Sequence, residues 1–320
     1  MGFNRRAVSL GLAASLAAPA VWAQGARRTV TVVVPFPPGG SVDALARLMQ
    51  EGLQERLNAT VIIENKAGAN GSIGAAQVAR AAPDGNSLMV TFDSHSTIPA
   101  LIEKPPLNVE TDMVPVMLVG KAPYIVATSV KKSFRNFDDV REAAKKAPVS
   151  YGTSGPGSSG HLAMVMLGRK AHIPLDHVPY KGAGPAINDA IGGHVDLICA
   201  SVAALLPQIT AGNLHAIMQM GPQRLKSLAD APTTAESGFP DFLAEAWWGF
   251  FAPKGTPDQI VKETYDALRD VLSKPAVAER LQTTQQMSLL MQGPQEFAKF
   301  FAREVVEWGK VVRENNIKGE

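Results

Sequence analysis

Residues 152 to 161 read Gly-Thr-Ser-Gly-Pro-Gly-Ser-Ser-Gly-His, and they admit two chemistries. Gly155, Gly157 and Gly160 spell the G-x-G-x-x-G of dinucleotide-binding loops, and the strand-like 148–151 and helix-like 161–170 flank them as that motif requires. Ser154 with His161 offers a nucleophile and a base, which makes an exported serine hydrolase the enzyme alternative. Both readings are weak. A ribose-binding acid belongs at the end of the next strand, whereas Asp176 precedes that strand. Gly152-Thr153-Ser154-Gly155 misses the G-x-S-x-G elbow by one position, and His161 reads better as a hydrogen bonder at a helix start.

Three further junctions share this composition: 35–41 (Pro-Phe-Pro-Pro-Gly-Gly-Ser), 65–72 (Asn-Lys-Ala-Gly-Ala-Asn-Gly-Ser) and 180–184 (Tyr-Lys-Gly-Ala-Gly). Each is small and polar where a strand gives way to a helix. Backbone N–H groups there can approach a ligand closely, and the helix dipole favours a negative one. Ser41, Ser72 and Ser159 are also plausible N-caps, and Asp43 reads as a first-turn dipole partner. The six histidines, His95, His161, His172, His177, His194 and His215, show no zinc-ligand spacing. No metal and no cofactor is expected.

The elements that must position these loops alternate. Strand-like runs at 29–35, 60–64 and 88–92 surround a helix carrying Val42, Leu45, Ala46, Met49, Leu53 and Leu57. A second series predicts strands at 123–128, 148–152, 177–180, 195–200 and 214–219, with helices at 137–146, 160–170, 184–192 and 202–211 between them. This is an α/β pattern with mainly parallel sheets covered on both faces. After a long connection over 221–240 comes a strand at 246–252. Thr256-Pro257-Asp258-Gln259 then reads as a capping box opening a helix to about Ser273. A last helix from Gly293-Pro294 puts Phe297, Phe300, Phe301, Val305 and Trp308 on one stripe, which is core packing. Interdomain crossings are placed near 124 and 247. Domain I is thus 24–124 plus 248–320, with C-terminal helices, and domain II is 125–247.

Composition narrows the class. Arg5 and Arg6 precede an uncharged run to Ala23, the pattern of a cleaved export signal over residues 1–23, and the arginine pair hints at twin-arginine export. Cleavage after Ala23 leaves the basic and acidic residues balanced, against 31 and 29 in the full chain, so no nucleic-acid or membrane-surface partner is advertised. Cys199 is the one cysteine and sits in an apolar run, so no internal disulfide forms and the thiol is expected to be buried and inert.

Taken in order, several stretches resemble one family. They are Val34-Pro35-Phe36-Pro37-Pro38-Gly39-Gly40-Ser41-Val42-Asp43 with Ala46-Arg47, Glu64 to Gly71, Pro83-Asp84-Gly85, Tyr151 to His161, Val178-Pro179-Tyr180-Lys181-Gly182, Gly193-His194-Val195-Asp196 and Phe251 to Pro257. The chain is similar to the Bug extracytoplasmic solute receptors, which serve tripartite tricarboxylate transporters. That resemblance implies a periplasmic flytrap, a type II periplasmic-binding-protein architecture whose two α/β domains close over a small organic carboxylate. It is expected to act as a monomer with the transporter's membrane subunits; the motifs do not separate uptake from signalling through a sensor kinase. Carried over by position, the ligand-binding residues are Phe36, Gly39, Gly40, Ser41, Asn70, Gly71, Ser154, Ser158, Ser159, Tyr180, Lys181 and Gly182, with Ser94 and His95 added after the third strand. Lys181 faces the ligand or pairs structurally. One departure stands out: 214–220 differs from the family's usual strand, and Met220-Gly221 replaces small polar residues at its end. An altered pocket floor, and a ligand outside the commonest dicarboxylates, would follow.

Overall fold

The computed structural model describes residues 27 to 318, so the expected export signal lies outside the described residues. The chain begins with β1 (Thr29–Val34), α1 (Ser41–Leu57), β2 (Thr60–Asn65), α2 (Ser72–Ala79) and β3 (Ser87–Phe92). A 3₁₀ turn over Asp93–Thr97 and the short α3 (Ile98–Leu101) lead into β4 (Met113–Ser129). Next come α4 (Phe137–Ala144), β5 (Val149–Thr153), α5 (Ser159–Ala171), β6 (Leu175–Pro179), α6 (Ala183–Gly192), β7 (Leu197–Ser201), α7 (Val202–Thr210) and β8 (Leu214–Gln219). The chain closes with β9 (Glu245–Pro253), α8 (Asp258–Leu272), α9 (Pro275–Thr284), β10 (Ser288–Gln292) and α10 (Pro294–Glu314).

Apolar spacing explains the first unit. Val42, Leu45, Ala46, Met49 and Leu53 recur on one face of α1 and are all buried, and the helix stops where Asn58 turns left-handed at φ 45°. Val30, Val32, Val33 and Val34 of β1 are buried too, as a strand covered on both faces requires.

The sheet runs β2-β1-β3-β9-β4-β7-β5-β6, with β8 and β10 also paired to β4. Its two ends, β2-β1-β3 and β7-β5-β6, are parallel, and the antiparallel pair β4 and β9 joins them. Only part of β4 matches the predicted strand at 123–128. The first half of β4, up to Pro123, pairs with β9, whereas its end pairs with β7 and β8. Proline cannot donate to a ladder, and the register shifts just after Pro115. The pairing changes over at Tyr124. Its N–H donates to the Ala244 carbonyl (3.0 Å), its carbonyl accepts from Met220 N–H (2.8 Å), and Ala244 N–H donates to the Met220 carbonyl (2.9 Å).

The glycine triplet has a packing explanation. Gly155 and Gly157 hold φ of +139° and +70°, and a Cβ on Gly160 would lie 2.8 Å from the Cys199 carbonyl oxygen, so α5 rests directly on β7. No nucleotide is needed to account for G-x-G-x-x-G here.

Four capping expectations are corrected. Gly40 and Gly71 are the N-caps of α1 and α2, and Ser158, not Ser159, caps α5 by accepting from His161 N–H. Pro257 is the N-cap of α8, while the Thr256 hydroxyl donates to the Pro253 carbonyl (2.7 Å) instead of capping.

His95 also departs from expectation. It is 2% exposed and packs against Phe251 and Phe301 with ring centroids 5.2 and 5.5 Å away, inside the core built by the aromatic stripe of α10. Burial pulls its imidazole down to about 3.

Two predictions follow from this packing. Gly160→Ala forces a methyl group into backbone and should cost about 1–3 kcal/mol, a melting loss of several degrees, whereas Gly184→Ala, with open space around it, should not destabilise. Folding keeps His95 neutral while the unfolded chain gains its proton below about 6.5, so its contribution is whole above that pH and shrinks as pH falls toward 3. In His95→Phe the stability difference between pH 7 and pH 5, read by urea titration, should therefore narrow by about 2 kcal/mol.

Candidate functional site

The strand ends on both sides of the β4–β9 join open onto one cleft of about 1050 Å³. One wall is formed by the loops before α1 and α2 and by the turn after β3; the other by the loops before α5, α6 and α7. Tyr124 of β4 and Gln285 after α9 also line the cleft. Phe36, Gly39, Gly40, Ser41, Asn70, Gly71, Ser94, Ser154, Ser158, Ser159, Tyr180, Lys181 and Gly182 all line this space, and His95 does not. Four loops drawn from between residues 35 and 184 therefore share one cavity.

Which main-chain donors are free decides what the cleft can hold. Gly40, Gly182 and Ser201 are the N-caps of α1, α6 and α7, and none of their side chains caps the helix. First-turn N–H groups there lack a side-chain acceptor, and they come from both walls. Other glycine amides are already used. Gly39 N–H donates to Asp43 Oδ2 (2.9 Å), and Gly182 N–H donates to the Ser154 carbonyl (3.1 Å), so these two residues shape the loops rather than offer their own N–H.

Side chains brace that arrangement. Asp43 accepts from Gly39, Arg47 and Asn65, tying the first loop to the end of β2. Burial pushes its carboxyl up, but the bonds from Arg47, Gly39 and Asn65 outweigh burial and hold it below the ordinary value. The Asn70 amide donates to Thr97 Oγ1 (3.2 Å), linking the second loop to the turn after β3. Trp248 Nε1 donates to Ser41 Oγ (3.2 Å), and Tyr180 Oη donates to Asp189 Oδ2 (2.7 Å). Lys181 is exposed, forms no ion pair among the described residues, and is the one cation in the cleft lining.

Sequence reasoning missed several lining groups. Asp93 and Tyr124 both line the cleft, where Tyr124 Oη donates to Asp93 Oδ2 (2.9 Å), and α7 contributes an uncapped start that no glycine announces. The expected altered floor is also corrected: among the described residues no part of β8 lines the cleft. Met220 is instead consumed by the crossing at Tyr124, and the Gln219 amide donates to the Leu228 and Ala231 carbonyls.

Nucleophilic catalysis finds no support in the geometry. His161 Nδ1 accepts from Gly157 N–H (3.0 Å), its ring stacks on His177 at 3.8 Å, and no bond joins it to Ser154 among the described residues. Burial first, and then neighbouring His177, pull its imidazole down to about 4. Among the described residues no group of three His, Cys, Asp or Glu side chains stands ready for a metal, and no helix is long and apolar enough to cross a membrane. Cys199 is buried and burial raises its thiol, in keeping with an inert role.

Known proteins share this fold. The structure of the periplasmic binding protein BugD is 33% identical, superposes with a TM-score of 0.81, and covers 92% of this chain and 99% of its own. MatC from Rhodopseudomonas palustris, solved with bound malate, is 31% identical with a TM-score of 0.78 over 89% of this chain and 99% of its own. Another R. palustris protein, solved with adipate, is 28% identical with a TM-score of 0.83 over 93% of this chain and 99% of its own. The model of the tripartite tricarboxylate transporter family receptors, TctC, matches residues 45–317. With that match over most of its length, the chain belongs to the tripartite tricarboxylate transporter family receptors, the family of the Bug proteins.

Proposed function

We propose that the protein is a periplasmic receptor that captures a small organic carboxylate in this cleft and delivers it to the membrane subunits of a tripartite tricarboxylate transporter. One observation carries the reading: uncapped helix starts from both walls face a single cavity. Relatives of the same fold that hold malate and adipate, both dicarboxylates, support the ligand class.

The residues act in distinct ways. First-turn amides of α1 on one wall, and of α6 and α7 on the other, grip one ligand carboxylate, with the Ser41, Ser154 and Ser158 hydroxyls as adaptable partners. Charge-assisted hydrogen bonds contribute about 1.5–3 kcal/mol each and a helix end about 0.3–1 kcal/mol. Three or four such contacts approach the roughly 8 kcal/mol of micromolar binding before ordering costs. Phe36 and Tyr180 supply apolar faces for the ligand's carbon chain.

Binding by both walls favours their approach. Domain I, 24–124 plus 248–320, and domain II, 125–247, bend about the crossings at Tyr124 and Ala244, and a ligand that touches both stabilises the closed form over the open one. Leu101 already reaches Gly157 across the cleft, where a Cβ would lie 2.4 Å from its methyl groups. The closed molecule is the form the transporter would recognise. The expected leader over residues 1–23 would bring the chain to the periplasm.

A melting screen over mono-, di- and tricarboxylates and aromatic acids tests this directly. The true ligand at a hundred times its dissociation constant should stabilise the protein by about 2.7 kcal/mol with no product formed, and failure of every carboxylate would refute the proposal. Lys181→Ala should weaken that ligand about threefold to thirtyfold by calorimetry, an effect of about 0.7–2 kcal/mol, without changing the melting temperature of the empty protein. An unchanged affinity would remove Lys181 from the ligand's contacts.

A further inference from the structure

β9 carries two neighbouring tryptophans whose indoles bond on opposite sides of the strand, as successive strand residues do. Trp247 Nε1 donates to Glu304 Oε2 of α10 (3.1 Å), and Trp308 Nε1 donates to the same oxygen (2.9 Å). Trp248 Nε1 donates instead to Ser41 Oγ (3.2 Å), in the first residue of α1. Trp248 is 0% exposed, and its ring stands edge-on to Phe92 with centroids 5.4 Å apart. The indole is thus fixed by packing before it reaches the serine.

A second group holds the same residue by its main chain. Gln285, which ends α9 and is 5% exposed, donates Nε2 to the Ser41 carbonyl (3.1 Å). Ser41 is therefore tied to β9 through its side chain and to the end of α9 through its backbone. Both partners lie more than two hundred residues further along the chain.

The donor inventory decides what the hydroxyl can still do. An indole N–H only donates, whereas a serine hydroxyl accepts through its lone pairs and gives one hydrogen. Accepting from Trp248 uses a lone pair and leaves the hydrogen. Ser41 is half-buried and lines the cleft, and among the described residues its hydroxyl donates to nothing. The start of α1 beside it is uncapped, so its O–H and the first-turn N–H groups are donors at one end of the same helix.

Resting on the reading that the cleft takes a carboxylate, we propose that Trp248 is a positioning residue for that ligand: its indole fixes the Ser41 hydroxyl as a donor to a carboxylate oxygen at the start of α1. Trp248 is not part of the cleft lining and acts through Ser41. Gln285 keeps the Ser41 backbone in register with that bond. Holding the hydroxyl in its bound orientation removes part of the ordering cost of binding. The chain from indole to hydroxyl to carboxylate also strengthens itself, because each bond polarises the next. The position takes an oxygen acceptor, whereas a ligand ammonium there would meet a hydrogen.

A bond that merely satisfied the buried indole would be indifferent to ligand, and this separates the two roles. The test uses the mature protein with malate and the saturated dicarboxylates of three to eight carbons, ranked by calorimetry. Nitrogen-15 spectra then follow the indole N–H signals of Trp247, Trp248 and Trp308, the tryptophans beyond the expected leader. At saturation with the tightest acid of the panel, the Trp248 indole proton should move downfield, and the move should vanish in saturated Ser41→Ala. Trp247 and Trp308, bonded to Glu304, are the references for changes away from the cleft. Ser41→Ala should weaken that acid by about tenfold or more. Trp248→Phe should weaken it about threefold to tenfold, but by less than about twofold when Ser41 is already alanine.

A Trp248 signal that stays in place in the saturated wild type, or moves equally in saturated Ser41→Ala, would overturn the positioning role and leave the carboxylate reading intact. So would an equal loss from Trp248→Phe in both backgrounds. No binding by any acid in the panel would overturn both. The wild-type spectra need no variant to fold, and melting curves show which variants do.

Discussion

Backbone N–H groups at the starts of α1, α6 and α7 have no side-chain acceptor, and much of the molecule can be understood as keeping them that way. A helix start needs a partner for its first amides, and natural helices commonly recruit Ser, Thr, Asp or Asn at the N-cap. Here the N-cap is glycine at α1 and α6, and at α7 it is a serine whose side chain does not cap. The side chains that could have capped α1 are engaged elsewhere, Ser41 with Trp248 and Asp43 with Gly39, Arg47 and Asn65. The stability forgone at the caps leaves donors for an anion.

The sheet supplies the other half of the arrangement. Because β4 runs from one parallel end of the sheet to the other, the strand ends of both halves lie around one cavity, and a single residue, Tyr124, serves both purposes. Its main chain ties β4 to the segments at Met220 and Ala244, while its hydroxyl donates to Asp93, another residue of the cleft lining. The link between the two halves of the sheet and the lining of the cleft thus meet in the same residue. A protein of small net charge, with one cation among the described residues of its cleft lining, can hold an anion this way, since the attraction comes from oriented dipoles at short range rather than from net charge.

Much of this was legible in the sequence, for identifiable reasons. The spacing of Val42, Leu45, Ala46, Met49 and Leu53 reveals α1, and the glycine-serine loops reveal the cleft, because backbone exposure needs small residues. The first half of β4 was not legible, since Pro115, Gly120 and Pro123 break the strand pattern that the bulged ladder with β9 tolerates. Serines next to helix starts read as caps, and only the folded chain reveals that Ser41 answers to Trp248. His95 in a Ser-rich turn reads as polar, yet it fills an aromatic core assembled from β9 and α10, far along the chain. Asp93 carries no signal in the sequence, because nothing local encodes its burial beside Tyr124.

The most direct test of the central claim is a crystal structure of the protein with its tightest-binding carboxylate. The account predicts carboxylate oxygens about 2.7–3.1 Å from first-turn nitrogens of α1 and of α6 or α7 together. A ligand held from one wall alone, or one whose carboxylate touches none of those nitrogens, would contradict it.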